Sequence, residues 1–176
     1  MAAFTVIDHT ELGAATASWD VTSIPSSYDH LLIKASTRVD AAGYTIYNKL
    51  NFNADTGNNY SMTVMYALSS GVASARAAKG AEDYVGYIYS PRNDTLADTY
   101  GCIDIWIPNY ANTANFKQVL ASSTGPNAST TDSQWVLAQC AGLWHATAAI
   151  NQVTLAGFGA NFHQYSTFTL YGVTGA

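Results

Sequence analysis

Charge is what this chain has least of. Only 11% of its 176 residues are Asp, Glu, Lys or Arg, against about a quarter in an ordinary globular domain. Its surface must therefore be covered largely by Ser, Thr, Asn, Gln, Gly and Tyr hydroxyls, a neutral hydrogen-bonding coat. The net charge is −5, and the seven basic residues (Lys34, Arg38, Lys49, Arg76, Lys79, Arg92 and Lys117) never gather beyond the loose pair Arg76 and Lys79. Neutralising a phosphate backbone takes several cations side by side, which argues against nucleic acid as a partner and against an anionic membrane surface.

Cysteine is nearly as scarce. The two cysteines, Cys102 and Cys140, stand far apart in apolar, strand-like stretches with no metal-ligand spacing, and are read as reduced core thiols. No apolar run approaches the length of a membrane span. The opening residues MAAFTVIDHTELG carry neither a basic leader nor an apolar signal core, so the chain is expected to stay in the compartment of its synthesis unless something carries it out.

The motifs of catalysis are missing too. There is no Gly-x-Ser-x-Gly elbow, no HExxH, no phosphate loop and no CxxC pair. The four histidines, His9, His30, His145 and His163, are scattered without helical ligand spacing. Two carboxylates facing across a groove would suffice for a glycosidase. Glu11, Asp20, Asp29, Asp40, Asp104 and the adjacent Glu82 and Asp83 are available for that. Asp104, on the same strand face as Trp106, is the one placed to line a sugar groove, although a solvated strand face is the commoner explanation. No catalytic residue, cofactor site or metal site is assigned.

What is present is strand. In YTIYNKLNFN, Tyr44, Ile46, Leu50 and Phe52 share one face, interrupted only by Asn48, while Thr45, Lys49 and Asn51 take the other. In YSMTVMYAL, Tyr60, Met62, Val64, Tyr66 and Leu68 oppose Ser61 and Thr63. Such period-two patterning marks half-buried strands. Further strands are expected at Phe4 to Thr10, Ala17 to Val21, His30 to Arg38, Tyr84 to Ser90, Cys102 to Ile107, Phe116 to Ala121, Trp135 to Leu143, Ile150 to Leu155 and Thr167 to Val173. Turn-forming clusters such as IPSSYD, TGPNASTTDS and GFGAN separate them. About ten short strands without a long amphipathic helix predict one all-β domain over residues 1–176, an antiparallel, jelly-roll-like β-sandwich. The stretch SSGVASARAAKGAED, residues 69–83, has apolar side chains too small to anchor a helical stripe on a core, and is expected to form an exposed loop or arm.

One segment, NFNADTGNNY (residues 51–60), has oxygen-bearing side chains at alternate positions, like the start of a calcium loop. An EF-hand needs Gly at the sixth position and Glu at the twelfth. Here those positions are Thr56 and Met62, and only Asp55 carries charge. Turn chemistry at the tip of a hairpin between two alternating strands explains it better.

Aromatics are abundant, with 12 Tyr, 4 Trp and 6 Phe. Simple alternation in YVGYIYS puts Tyr87 and Tyr89 on one face and Tyr84 and Ile88 on the other. Residues of this kind build cores, sugar platforms or protein interfaces.

Five segments, SIPSSYDHLLIKASTR (23–38), LNFNADTGNNYS (50–61), IDIWIPNYANTANFK (103–117), GLWHATAAINQVTL (142–155) and NFHQYSTFTLYGV (161–173), taken in this order, resemble the β-rich structural modules of tailed-bacteriophage virions. The shared pieces are the Ile-Pro-x-x-Tyr turn, the FN-x-D-x-G-x-NY stretch, the IPNY turn and the terminal LYG. The resemblance implies an antiparallel sandwich without catalytic residues or cofactor. In larger fibre proteins such a module sits beside other domains, whereas here it spans nearly the whole chain. That implies a capsid decoration (cement) protein of the virion, a homo-oligomer, with a trimer favoured, seated on the major capsid protein or another virion protein. A tail or fibre module that binds a receptor or carbohydrate is the alternative. On this reading Arg76, Lys79, Tyr84, Tyr87 and Tyr89 are the candidate partner contacts.

Overall fold

Alternating burial runs through most strands of the computed structural model, which describes residues 3–42, 47–68, 71–125 and 135–175. In chain order the strands are β1 (Ala3–Glu11), β2 (Ser18–Val21), β3 (His30–Thr37), β4 (Tyr47–Phe52), β5 (Tyr60–Leu68), β6 (Gly71–Glu82), β7 (Val85–Tyr89), β8 (Gly101–Pro108), β9 (Lys117–Gly125), β10 (Val136–Trp144), β11 (Val153–Gly157) and β12 (Thr167–Thr174). They form two antiparallel sheets. Eight strands run in the order β1-β12-β3-β8-β9-β10-β5-β6, and four in the order β2-β11-β4-β7. The expected all-β sandwich is the fold, and no helix occurs among the described residues.

The core is the set of inward-facing residues that the alternation demands. Leu31 and Ile33 of β3, Ile103, Ile105 and Ile107 of β8, and Met62 and Val64 of β5 meet Leu50 and Phe52 of β4, Val85 and Ile88 of β7, and Val153 and Leu155 of β11. Asn48 interrupts its strand's apolar face and is fully buried there. Its amide donates to Ser90 Oγ at 2.7 Å, and Ser90 shares a 2.6 Å hydrogen bond with Thr37 Oγ1. A short polar chain therefore links the two sheets through the core.

Four expectations change. Residues 71–82 are a strand, β6, paired with β5 from Met62↔Ala77 to Leu68↔Gly71. Alanine removes little apolar surface from water, so β6 is held mainly by its ladder to β5 and carries no period-two signal. Residues 69 and 70, at the tip of this hairpin, lie outside the described residues, as do Tyr44, Thr45 and Ile46. NFNADTGNNY is no hairpin tip, because β4 belongs to the four-stranded sheet and β5 to the eight-stranded one. It is the crossing between them. Cys102 is exposed while Cys140 is buried, since Ile103, Ile105 and Ile107 take the inner face of β8 and push Cys102 outward. Tyr84, Tyr87 and Tyr89 do not divide between two faces, because Tyr87 has φ +59° and breaks the strand's alternation.

The segments that carry the phage resemblance interlock at one end of the sandwich. The Tyr110 hydroxyl of IPNY donates to the Pro25 carbonyl of the Ile-Pro-x-x-Tyr turn. The Tyr28 ring of that turn lies against Gly172 of LYG, so closely that a β-carbon there would fall 2.4 Å from it. Asp29 N–H completes the contact by donating to Val173 O at 3.0 Å. Elsewhere the buried Arg38 guanidinium donates to the carbonyls of Asn93, Thr95, Leu96 and Thr99 at 2.7–3.2 Å, gathering the loop between β7 and β8 around one cation.

Gly172→Ala should therefore destabilise the fold by about 1–3 kcal/mol through overpacking, read as a lower midpoint in thermal unfolding. In a Tyr28→Ala background most of that added cost should vanish. Simple additivity of the two substitutions would show that the ring contact is not the cause.

Candidate functional site

The crossing at residues 51–60 was the sequence's one candidate for an ion, and the side-chain oxygens of Asp55 and Asn53 already accept N–H donors. Asp55 Oδ2 accepts from Trp144 Nε1 at 2.7 Å and from Asn59 Nδ2 at 3.0 Å, and Oδ1 accepts from Gly57 N at 2.9 Å. Asn53 Oδ1 accepts from the backbone N–H groups of Asn151 and Gln152 at 2.8 and 3.1 Å. Asn51 Nδ2 donates to the carbonyls of Asp55 and Asp83. A carboxylate ringed by donors favours its charged form without a metal. Burial pushes the Asp55 pKa upward, but hydrogen bonds from Trp144, Gly57 and Asn59 outweigh it and hold the carboxyl below its ordinary value. Among the described residues, no group of three or more His, Cys, Asp or Glu is placed to hold a metal ion.

Of the other carboxylates singled out in the sequence, Asp20, Asp40 and Asp104 also have side-chain partners. Asp104 faces Lys34 directly across the β3–β8 ladder, with a 2.7 Å ion pair. Asp20 accepts from Ser18 and Thr154, and Asp40 from Asn161.

The tyrosines gather into one stack. Phe158, Tyr47, Tyr87 and Tyr66 follow one another in near-parallel contact, with centroid separations of 4.8, 5.2 and 6.2 Å. Because Tyr66 belongs to β5 and Tyr47 to β4, the stack stitches the two sheets together beside β7. Tyr84 shares a 3.0 Å hydroxyl contact with Tyr47, and the Lys49 ammonium lies 4.4 Å over the Tyr84 ring. Burial raises the pKa values of Tyr84, Tyr87 and Tyr89, and neighbouring Tyr47 adds to each, so the cluster stays uncharged. Of the expected partner contacts, Tyr84 and Tyr89 are only 7% and 3% exposed. Their rings are packed within this chain. Tyr87 is half-buried in the same stack, whereas Arg76 and Lys79 are exposed on β6.

Two features on the outer face of the eight-stranded sheet were not singled out from sequence. The first is an apolar row. Leu120 lies opposite Trp106, Trp106 opposite Leu32, Leu32 opposite Tyr171, and Tyr171 opposite Val6. The row thus runs unbroken from β9 to the β1 edge, with His30 against Trp106 and Phe4 against Tyr171. Leu120 and Val6 are each 54% exposed and Phe4 60%. Register across five strands builds this row, which is why no single segment displays it.

The second is a shallow groove toward the β6 side. It consists of two adjoining hollows of about 420 and 430 Å³ that share Gln118 and Leu143.

No family model and no curated protein matches the chain. Among solved structures, that of the alginate lyase Aly36B aligns over 95% of this chain and 79% of its own, with 9% identity and a TM-score of 0.27. A likeness that weak carries no argument about fold or activity.

Because the Asp55 carboxyl sits below its unfolded value, its contribution to stability is complete above that value, near pH 3.9, and is lost as pH falls through the folded one. Asp55→Ala should cost on the order of 2 kcal/mol at neutral pH by leaving the Trp144 N–H without its charged acceptor. It should also flatten the acid limb of a stability-against-pH curve. An unchanged acid limb would remove Asp55 as the group that holds the crossing.

Proposed function

We propose that this chain is a non-enzymatic structural subunit of a tailed-bacteriophage particle, a capsid decoration protein that works as a homo-oligomer, with a trimer favoured. The observation that carries the reading is the row Leu120, Trp106, Leu32, Tyr171 and Val6 across the outer face of the larger sheet. Contiguous apolar surface on a sheet face marks a place where another protein sits. Aromatic residues with few charges are the composition of interface centres.

The open edge formed by β6 adds to this. Among the described residues no further strand pairs with the outer edge of this twelve-residue strand, which leaves backbone groups open to another chain. The neutral surface suits addition to a finished shell, where shape and many uncharged contacts do the work. Closed symmetry lets several weak contacts act together. The near full-length resemblance of five segments to virion modules supplies the particle to which such surfaces belong.

Two measurements test the reading. Quantitative mass spectrometry of purified particles should find this chain in numbers comparable with the shell subunit. Its absence, or only a few copies, would remove the decoration role. Light scattering on the isolated protein should give a trimer, and Trp106→Ser should shift it toward monomer, as loss of a central aromatic anchor typically costs about 2 kcal/mol or more of association. A monomeric wild type, or a variant that associates as well as wild type, would overturn the assignment of the row.

A further inference from the structure

The basic residues can be accounted for one by one. Lys34 is paired with Asp104 and Arg92 with Asp94. Lys49 lies over the rings of Tyr84 and Phe158. Arg38 is buried among carbonyls, and Lys117 is buried with its ammonium on the carbonyls of Asn115 and Thr147 at 2.7 and 2.9 Å. Of the seven basic residues, that leaves Arg76 and Lys79. Both are exposed, and neither has an ion pair or hydrogen bond among the described residues.

Arg76 belongs to the groove, and Lys79 lies three residues further along the same strand, beyond the lining. Arg76 stands opposite Thr63 and lines the first hollow. Lys79 falls where β6 bulges, with Gly80 at φ +89°, between the Met62↔Ala77 and Tyr60↔Glu82 pairs. It comes close enough to His145 for its charge to disfavour the imidazolium, adding to the effect of burial. His145 bonds Ser61 of the first hollow at 2.9 Å and packs against Phe116 of the second at 5.5 Å. Arg76 therefore lines the groove and Lys79 lies just beyond it, both without an ion pair or hydrogen bond among the described residues, on a protein whose net charge is −5.

The remaining lining indicates the kind of anion. Phe116 presents a ring that is 48% exposed. Gln118, shared by both hollows, is an exposed amide, and Ser61, Thr63 and Thr147 add hydroxyls. An exposed ring for apolar C–H faces, amide and hydroxyl groups for ring hydroxyls, and cations for carboxylates together suit an acidic sugar. We propose that this groove binds an acidic oligosaccharide, a chain of uronic-acid-type residues, with Arg76 and Lys79 each taking a carboxylate and Phe116 stacking on a sugar face. The site adjoins the apolar row, since Gln118 and Leu120 are neighbours on one face of β9, and it does not depend on the decoration role.

Isothermal titration of the full chain with a galacturonic acid hexamer tests it, with cellohexaose and hexaglutamate as controls. The hexauronate should bind saturably and more weakly as salt rises. Arg76→Gln and Lys79→Gln should each weaken it about tenfold, as expected for loss of a charge-assisted hydrogen bond. Phe116→Ala should weaken it too, and thermal midpoints should not move for the two charge variants because both side chains are exposed. Absence of hexauronate binding would overturn the proposal. So would equal binding of cellohexaose, which would make the cations irrelevant, or equal binding of hexaglutamate, which would point to an acidic protein segment. Affinity indifferent to Arg76→Gln and Lys79→Gln would place any binding elsewhere.

Discussion

The Asp55 carboxylate, ringed by N–H donors from Trp144, Gly57 and Asn59, holds the chain where it leaves one sheet and enters the other. A crossing of this kind exposes backbone that neither ladder can satisfy, and buried polar backbone must find partners somewhere. Here the partners are side chains of the crossing itself. Tyr60 hydroxyl accepts from Phe52 N–H and donates to Asp55 O, while Asn53 takes two backbone donors from the 151–152 segment. Once this corner is fixed, β4 and β5 lie on opposite layers, and Phe52, Tyr60 and Trp144 close the core between them.

The same pattern repeats at several of the chain's other charges. Arg38 and Lys117 organise loops by donating to carbonyls, and Asp40 fastens Asn161. Lys34 and Asp104 tie neighbouring strands. With so few charges on the chain, using most of them for architecture leaves the outer surface nearly neutral. Two departures stand out against that background, an apolar row on one half of the larger sheet and, on the other, two cations unpaired among the described residues. Neutral surfaces suit multivalent packing, and isolated cations beside a groove suit a ligand.

Strand identity was largely legible because alternation in β3, β5, β8 and β9 is strong, and the buried faces are those the pattern names. β6 was not, since alanine and serine give no contrast between faces. Sheet membership was not legible either. Local pattern says that β4 and β5 are strands but not that they belong to different layers, so a crossing looked like a hairpin. The grouping of Tyr84, Tyr87 and Tyr89 depended on one left-handed residue, which residue type does not announce at a tyrosine. The burial of Arg38 and Lys117 had no signal in sequence, and that burial is what makes Arg76 and Lys79 distinctive. The apolar row required the register of five strands at once.

On the proposed function, the outer face of the eight-stranded sheet is covered by another protein in an assembled particle. A reconstruction of that particle with this chain located in it tests the claim most directly. The expected result is the Trp106–Tyr171 half of the face packed against a neighbouring subunit at many symmetry-related positions on the shell. The same face open to solvent in the particle, or the chain missing from the shell, would contradict it.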